Sequence, residues 1–415
     1  MKRLFLIIFL ISALWLRLPA QVATGSRLIS LEECVDSALA RNPAVAAAGL
    51  AIERARILKG TAFNPSFTDI TLKQETTGGG GPENGVLFSQ EFDFPSVYVA
   101  RHRSLDAREK LERNRFAVMA AKVEGEVEDA YQTMVYCREL LRLNERLEAV
   151  YDTFCRVATI KLELGEGGAL ELMNAERSRE KNRLDRLSIS RDYDDAASTL
   201  RRLTGISGDI APATDALSPI EYDFSPNFDF ANTAAGRMAL GEIAVAQREE
   251  TLAKNEFLPG IHFGATVQAL IKGFNPYHID RSPFEKGNFM GFEVGISVPL
   301  FFGANNARVK AARMESNISR LNYESADAGS TAEVDNLIAR IEGLRERVNA
   351  YKSSGIHRAD EIFRIAEVSY RLGEIDYLEY IANVETVFSV YREYADLIYE
   401  YNRNVINLKT LISDR

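Results

Sequence analysis

The sequence predicts a mainly α-helical chain with strands for a membrane β-barrel, built as one plan stated twice. The first observation is a repeated phrase. Leu164-Gly165-Glu166 runs on to Leu170-Glu171, and Leu372-Gly373-Glu374 runs on to Leu378-Glu379, each reading L-G-E-x-x-x-L-E, 208 residues apart. The second is length without interruption. From Ser96 to Leu164, and again from Ala304 to Leu372, 69 residues contain no proline; at 1.5 Å per residue each is a helix of roughly 100 Å. The third is a pair of alternating apolar–polar stretches ahead of each long helix, the period-two signature of strands. Globular domains rarely need helices of that length. Two of them, each folding back at a glycine, predict a helical tube or stalk with the turns at its tip.

Bulk properties narrow the class. The chain has 415 residues, 46% apolar and 26% charged, with a net charge of −9. That composition excludes global disorder, and without a basic patch it argues against a nucleic-acid partner. Lys2 and Arg3 precede the apolar run Leu4 to Leu16, and Leu18-Pro19-Ala20 offers a small residue before Gln21, so residues 1–20 read as a secretory signal peptide. No later apolar run reaches the 18 residues of a spanning helix. The exported chain can therefore enter a membrane only as a β-barrel. Cys34, Cys137 and Cys155 read as packing residues in helices; the last two stand 18 apart on one predicted helix, too far apart to bridge.

Taken in order, Ser30 is an N-cap with Glu33 at the capping-box position. A helical pattern runs to about Ala62 with a break at Asn42-Pro43, and Pro65 closes it. Thr68, Ile70 and Leu72 alternate with polar neighbours, as do Val86, Phe88, Phe92 and Phe94; the glycine run Gly78 to Gly81 between them is a loop. Pro95 opens the first long helix. Its distal half carries a heptad seam, Leu140, Leu147 and Phe154 with Leu143, Val150 and Val157. Gly165, Gly167 and Gly168 make the turn, and a return helix ends at Thr204-Gly205. Residues 206–231, with Pro212, Pro219 and Pro226, form an irregular connector.

The second half repeats the first. A helix over about 232–257 ends at Phe257-Leu258-Pro259, echoing Phe63-Asn64-Pro65. Ile261 to Ala269 and Met290 to Val298 alternate as strands around a polar loop, Lys272 to Asn288, and Pro299 echoes Pro95. A second long helix follows to Leu372. The last helix holds the longest seam: Tyr377, Val384, Tyr391, Ile398, Val405 and Ile412, with Tyr380, Val387, Tyr394, Tyr401 and Leu408 three behind. It reads as helix–helix core, with no cofactor pocket. The layout is thus a first repeat 21–205 (hairpin 66–94, helices 96–204), the connector 206–231, and a second repeat 232–415 (hairpin 260–298, helices 303–412), as a tandem duplication gives. Four strands cannot close a membrane barrel. Three copies supply twelve, and a cyclic trimer also closes the helices into a hollow tube.

Over nearly its whole mature length the chain resembles the TolC-type outer-membrane efflux channel family. The residues that carry the resemblance are Leu31-Glu32-Glu33 with Ala38-Leu39 and Asn42-Pro43, the Phe-x-Pro before each first strand, Pro95 and Pro299, and the paired L-G-E turns. It implies a homotrimer in the bacterial outer membrane, with a twelve-strand barrel in the lipid and a helical tunnel in the periplasm. It also implies a periplasmic adaptor and an inner-membrane pump as partners, and places the connector 206–231 in an equatorial belt. Leu164, Gly165, Glu166, Leu372, Gly373 and Glu374 fall at the adaptor-contact tips. Some members ring their constriction with acids six and nine residues after the second-turn glycine. Here Glu379 matches the first and Ala382 replaces the second, leaving Glu374 and Asp376 as candidates for another ring. The run Phe88 to Pro95 resembles channels paired with heavy-metal pumps of the resistance-nodulation-division type.

No catalytic or cofactor constellation is present. His102, His262, His278 and His357 lie on different elements without partners at metal-ligand spacing, and Gly78 to Gly81 lacks the lysine of a phosphate loop. Transport is expected to be passive. On the strands Asp69, Glu91, Asp93 and Glu293 outnumber Lys73 as lumen charges, which predicts a mild cation preference. The same fold in a type I protein-secretion duct is the alternative; a periplasmic adaptor fits less well, because it needs neither the duplication nor the strands.

Overall fold

The computed structural model describes residues 26–76, 82–165, 168–223, 228–269, 289–300 and 302–414. The leader, the glycine loop at 77–81, the loop at 270–288 and the turn residues Glu166 and Gly167 lie outside them. Strands β1 (Arg27–Ile29), β2 (Asp69–Thr76), β3 (Pro82–Phe92), β4 (Ile210–Pro212), β5 (Gly260–Ala269) and β6 (Phe289–Ser297) alternate with eight α-helices. The helices are α1 (Leu31–Arg41), α2 (Pro43–Leu58), α3 (Pro95–Glu163), α4 (Ala169–Thr204), α5 (Ala234–Asn255), α6 (Phe302–Ala350), α7 (Ile356–Leu372) and α8 (Tyr377–Leu411). None among the described residues is long and apolar enough to cross a membrane.

Local chemistry sets the boundaries. Ser30 Oγ accepts the Glu33 amide at 3.1 Å, so the N-cap forms. The reciprocal half of the capping box does not, because the Glu33 carboxylate pairs with Arg27 instead. Asn42 caps α2 by accepting the Ala44 amide at 2.8 Å, and Pro43 takes the first helical position, where its missing N–H costs nothing. The second long helix is not uniform: between α6 and α7, Tyr351–Gly355 form one π turn. Ser353 and Ser354 Oγ both donate to the Ala350 carbonyl at 3.2 Å. Hydroxyls bonding back to a helix carbonyl compete with its own ladder, which fits the widened turn.

Two compact units emerge. The first comprises Met1–Ser37, Val127–Ser218 and Ile362–Tyr399. Here β1 and β4 pair in parallel, Arg27 with Ile210 and Ile29 with Pro212, a contact between the N-terminus and the connector. Tyr131 Oη clamps it, donating to the Ile29 carbonyl at 3.2 Å and meeting Thr214 Oγ1 at 3.0 Å. The core of this unit is the heptad seam. Tyr151, Phe154, Cys155, Tyr377, Tyr380, Val384 and Phe388 are buried together, with Phe154 edge-on to Tyr377 at 4.4 Å. A fully buried valine or phenylalanine contributes about 1.5–3 kcal/mol, so this seam, not helix propensity, holds the helices.

The second unit comprises Ala38–Glu126, Pro219–Glu361 and Glu400–Arg415. It holds one antiparallel sheet in the order β2-β3-β5-β6, open among the described residues. Register places Ile70 opposite Phe88, Phe88 opposite Ala265, and Ala265 opposite Phe292. Opposed residues share a face, so one face of the sheet is mostly apolar, interrupted by Gln90 beside Phe263 and by Gln74 and Asn84 toward the far end of β2 and β3. Helix α5 approaches α3 closely at Gly241, where a Cβ would stand 3.2 Å from both Leu111 and Asn114 side chains.

Candidate functional site

The first glycines of the two L-G-E turns share one backbone conformation. Gly165 and Gly373 carry φ of 76° and 73°, the left-handed region that glycine enters without penalty. The Gly165 amide donates to Leu162 O and the Gly373 amide to Tyr370 O, both at 3.1 Å; at the second turn the Glu374 amide also reaches Ser369 O at 2.8 Å. These are the bonds of a Schellman end. Each turn projects two leucines at equivalent places: Leu164 and Leu170 are 67% and 72% exposed, Leu372 and Leu378 68% and 58%. Lys161 and Glu171 tie the first turn across at 3.3 Å.

The three gate candidates differ in what their carboxylates do. Asp376 Oδ1 accepts the Glu379 amide at 2.9 Å and caps α8. Glu374 accepts from Ser369 Oγ at 2.9 Å. The Glu379 side chain is exposed and has no partner among the described residues. Only Glu379 is therefore unengaged locally.

On the sheet, Asp69 stands opposite Ser89, Glu91 opposite His262, and Glu293 opposite Gly264, so all three share the non-apolar face; Lys73 stands opposite Gly85 in register. His262 Nε2 approaches Glu293 Oε1 at 3.7 Å. Asp93 is displaced from this set: β3 ends at Phe92, and the Asp93 carboxylate pairs with Arg101 at 3.0 Å. Sequence reading missed the triad Lys59–Asp106–Glu109, at 2.7 and 2.6 Å. Hydrogen bonds from Lys59 and then Lys110 hold the Asp106 carboxyl down at about 2. Helical periodicity carries no signal for a contact between two helices 47 residues apart. Cys34, Cys137 and Cys155 are all buried and free, and burial pushes the Cys34 and Cys137 thiols up to about 11. Among the described residues no group of three or more metal-ligating side chains gathers.

One four-stranded sheet joined to long helices is a fold that this chain shares with solved outer-membrane channels. The chain matches the structure of CusC with a TM-score of 0.76 at 18% identity, covering 96% of this chain and 95% of that one. It matches the CmeC outer membrane channel of Campylobacter jejuni with a TM-score of 0.73 at 16% identity, covering 96% and 90%. The open-state MtrE outer membrane channel of Neisseria gonorrhoeae gives 0.75 at 18%, covering 92% and 89%. No curated protein matches by sequence. Residues 233–413 match the family model described as Outer membrane efflux protein.

Proposed function

We infer that this protein is the outer-membrane channel of a tripartite efflux system, a passive exit duct for small molecules or ions. A periplasmic adaptor and an inner-membrane pump, of the resistance-nodulation-division type, deliver the cargo. The observation that carries this is the sheet. Its apolar face exposes Ile70, Leu72, Phe88, Phe292, Val294 and Ile296, and the outer edges of β2 and β6 have no partner strand among the described residues. Open edges do not occur in hydrocarbon. Head-to-tail pairing of β6 with the next copy's β2 removes them, and three copies give an even, closed twelve-strand barrel.

Exposed apolar stripes on the helices support self-association in the same unit: Leu50 and Ile57 on α2, and Met314, Ile318 and Leu321 on α6. The four exposed leucines of the two turns are the adaptor contacts in this reading. Asp69, Glu91 and Glu293 line the lumen, and three symmetry-related copies of Glu379 ring the periplasmic mouth. Clustered carboxylates repel one another and attract cations, which gives the duct its cation preference.

The test is the mass of the purified protein in detergent together with its conductance in planar bilayers. Trimers with small cation-selective openings are expected. A soluble monomer without bilayer activity overturns the barrel and returns the adaptor reading.

A further inference from the structure

Helices α3 and α5 bound a groove of about 550 Å³ whose lining is cationic: Arg103, Lys110, Arg237 and Arg248 against the single acid Asp106. The acid is already matched, by Lys59 at 2.7 Å and Lys110 at 3.0 Å. Arg237 closes one end, donating to the carbonyls of Asn232 at 2.7 Å and Asp414 at 2.6 Å. Arg103 and Arg248 remain. Both are exposed, and neither guanidinium has a hydrogen-bond or ion-pair partner among the described residues. The other side of the same helix pair is arranged differently, its arginines being paired: Arg108 with Glu249 and Arg115 with Glu242. One side of α3–α5 is neutralised while the other keeps two free guanidiniums.

The groove lies on the helices that leave the sheet. Where the strands join the helices there is a band of exposed apolar side chains: Phe63 and Phe67 before β2, Phe94 after β3, Leu300 and Phe302 after β6. Aromatic girdles of this kind mark the edge of the hydrocarbon in membrane barrels. Val99, half exposed, stands one turn nearer the sheet than Arg103 on the same face of α3. Reading down that face, the chemistry passes from apolar girdle to valine to free arginine. Arg103 lies eight residues past Pro95, so about 12 Å below the start of the helix, and Arg248 stands deeper, beside the Glu249 that pairs with Arg108. Headgroups occupy the layer just outside the hydrocarbon, and a guanidinium on its long stem snorkels back toward it.

We propose that Arg103 and Arg248 form a clamp for the phosphate of an anionic lipid headgroup at the periplasmic edge of the outer membrane, fixing the depth at which the channel sits. Planar guanidiniums bind phosphate bidentately, and two of them facing one groove give the charge complementarity that zwitterionic headgroups lack. The inference rests on the outer-membrane reading above. It adds a lipid of defined charge to it.

The test uses native mass spectrometry of the full-length trimer released from mild detergent after exchange with phosphatidylglycerol or phosphatidylcholine. The wild type is expected to retain phosphatidylglycerol several-fold better. Arg103→Gln/Arg248→Gln brings it to the phosphatidylcholine level, and Arg103→Lys/Arg248→Lys keeps part of the preference, with the trimer intact in both. Equal retention of the two lipids by the wild type, or an unchanged preference in the glutamine variant, overturns the clamp. Binding of inorganic phosphate without any lipid preference assigns the groove to a free anion and also overturns it. Planar-bilayer recordings separate this from the channel reading: a wild type that neither trimerises nor conducts is a failure of that reading, whereas a conducting protein without lipid preference is a failure of the clamp alone.

Discussion

Asp376 and Glu379 are three residues apart on the same turn, and their carboxylates do separate work. Asp376 holds the Glu379 amide at the start of α8. Losing such a cap costs about 1 kcal/mol, and asparagine replaces aspartate there at little cost. Asp376→Ala is therefore expected to lower the melting temperature, with Asp376→Asn melting as the wild type does. Glu379→Ala keeps the wild-type melting temperature and reduces cation selectivity in single-channel recordings, because its carboxylate is exposed and holds nothing locally. Unchanged selectivity in Glu379→Ala would remove it from the mouth. Asp106 gives a pH prediction. Its folded-state value of about 2 lies below the ordinary 3.8, chiefly through Lys59 and then Lys110. A depressed carboxyl adds stability that is complete above the unfolded value and disappears as pH falls through the folded one. The melting-temperature difference between wild type and Asp106→Asn should be constant above pH 4 and shrink between pH 4 and 2.

The π turn at Tyr351–Gly355 makes a prediction about elements. Such a turn accommodates one extra residue within an otherwise regular helix. Deleting Ser354 should let α6 and α7 join as one α-helix with both flanks still in phase, and the protein should remain folded with a cooperative melt. Deleting Ala339 within α6 instead rotates everything beyond it by about 100° and takes Ile341, Leu344 and Val348 out of their buried positions, so circular dichroism should show loss of cooperative melting. Equal tolerance of both deletions would mean the π turn absorbs nothing. The comparison also shows why the elements were legible to different degrees. The seam Tyr377, Val384, Ile398 and Val405 could be read directly, since seven-residue spacing and burial are the same fact seen twice. The π turn could not, since one inserted residue barely disturbs an average over 69. The β1–β4 pair could not either, because three-residue strands are too short for a period to appear. The Arg103–Arg248 groove needs the register of α3 against α5, which no single-helix pattern encodes. The reciprocal capping bond of Glu33 and the lumen position of Asp93 give way to ion pairs, because Arg27 and Arg101 take their carboxylates.

For the whole molecule the decisive property is the two-sidedness of the sheet. Val294 stands opposite Phe263 in mid-strand on the apolar face, and Thr266 stands opposite Gly291 and Leu87 on the other. In a closed trimeric barrel the first face meets lipid and the second a water-filled lumen. An arginine at the bilayer midplane on the lipid side costs about 2–4 kcal/mol, whereas lumen positions tolerate charge and tune conduction. In the proposed trimer three copies multiply the penalty, since symmetry places the same substitution in every protomer. Val294→Arg is therefore expected to block assembly into outer-membrane-like vesicles, leaving the protein in the soluble or aggregated fraction. Thr266→Arg should insert, run as a trimer and shift ion selectivity toward anions. If both variants insert equally well, the apolar face does not meet lipid. If both fail, the second face is packed rather than open. Insertion of Thr266→Arg together with failure of Val294→Arg is the pattern that only a hollow barrel with its apolar face outward produces.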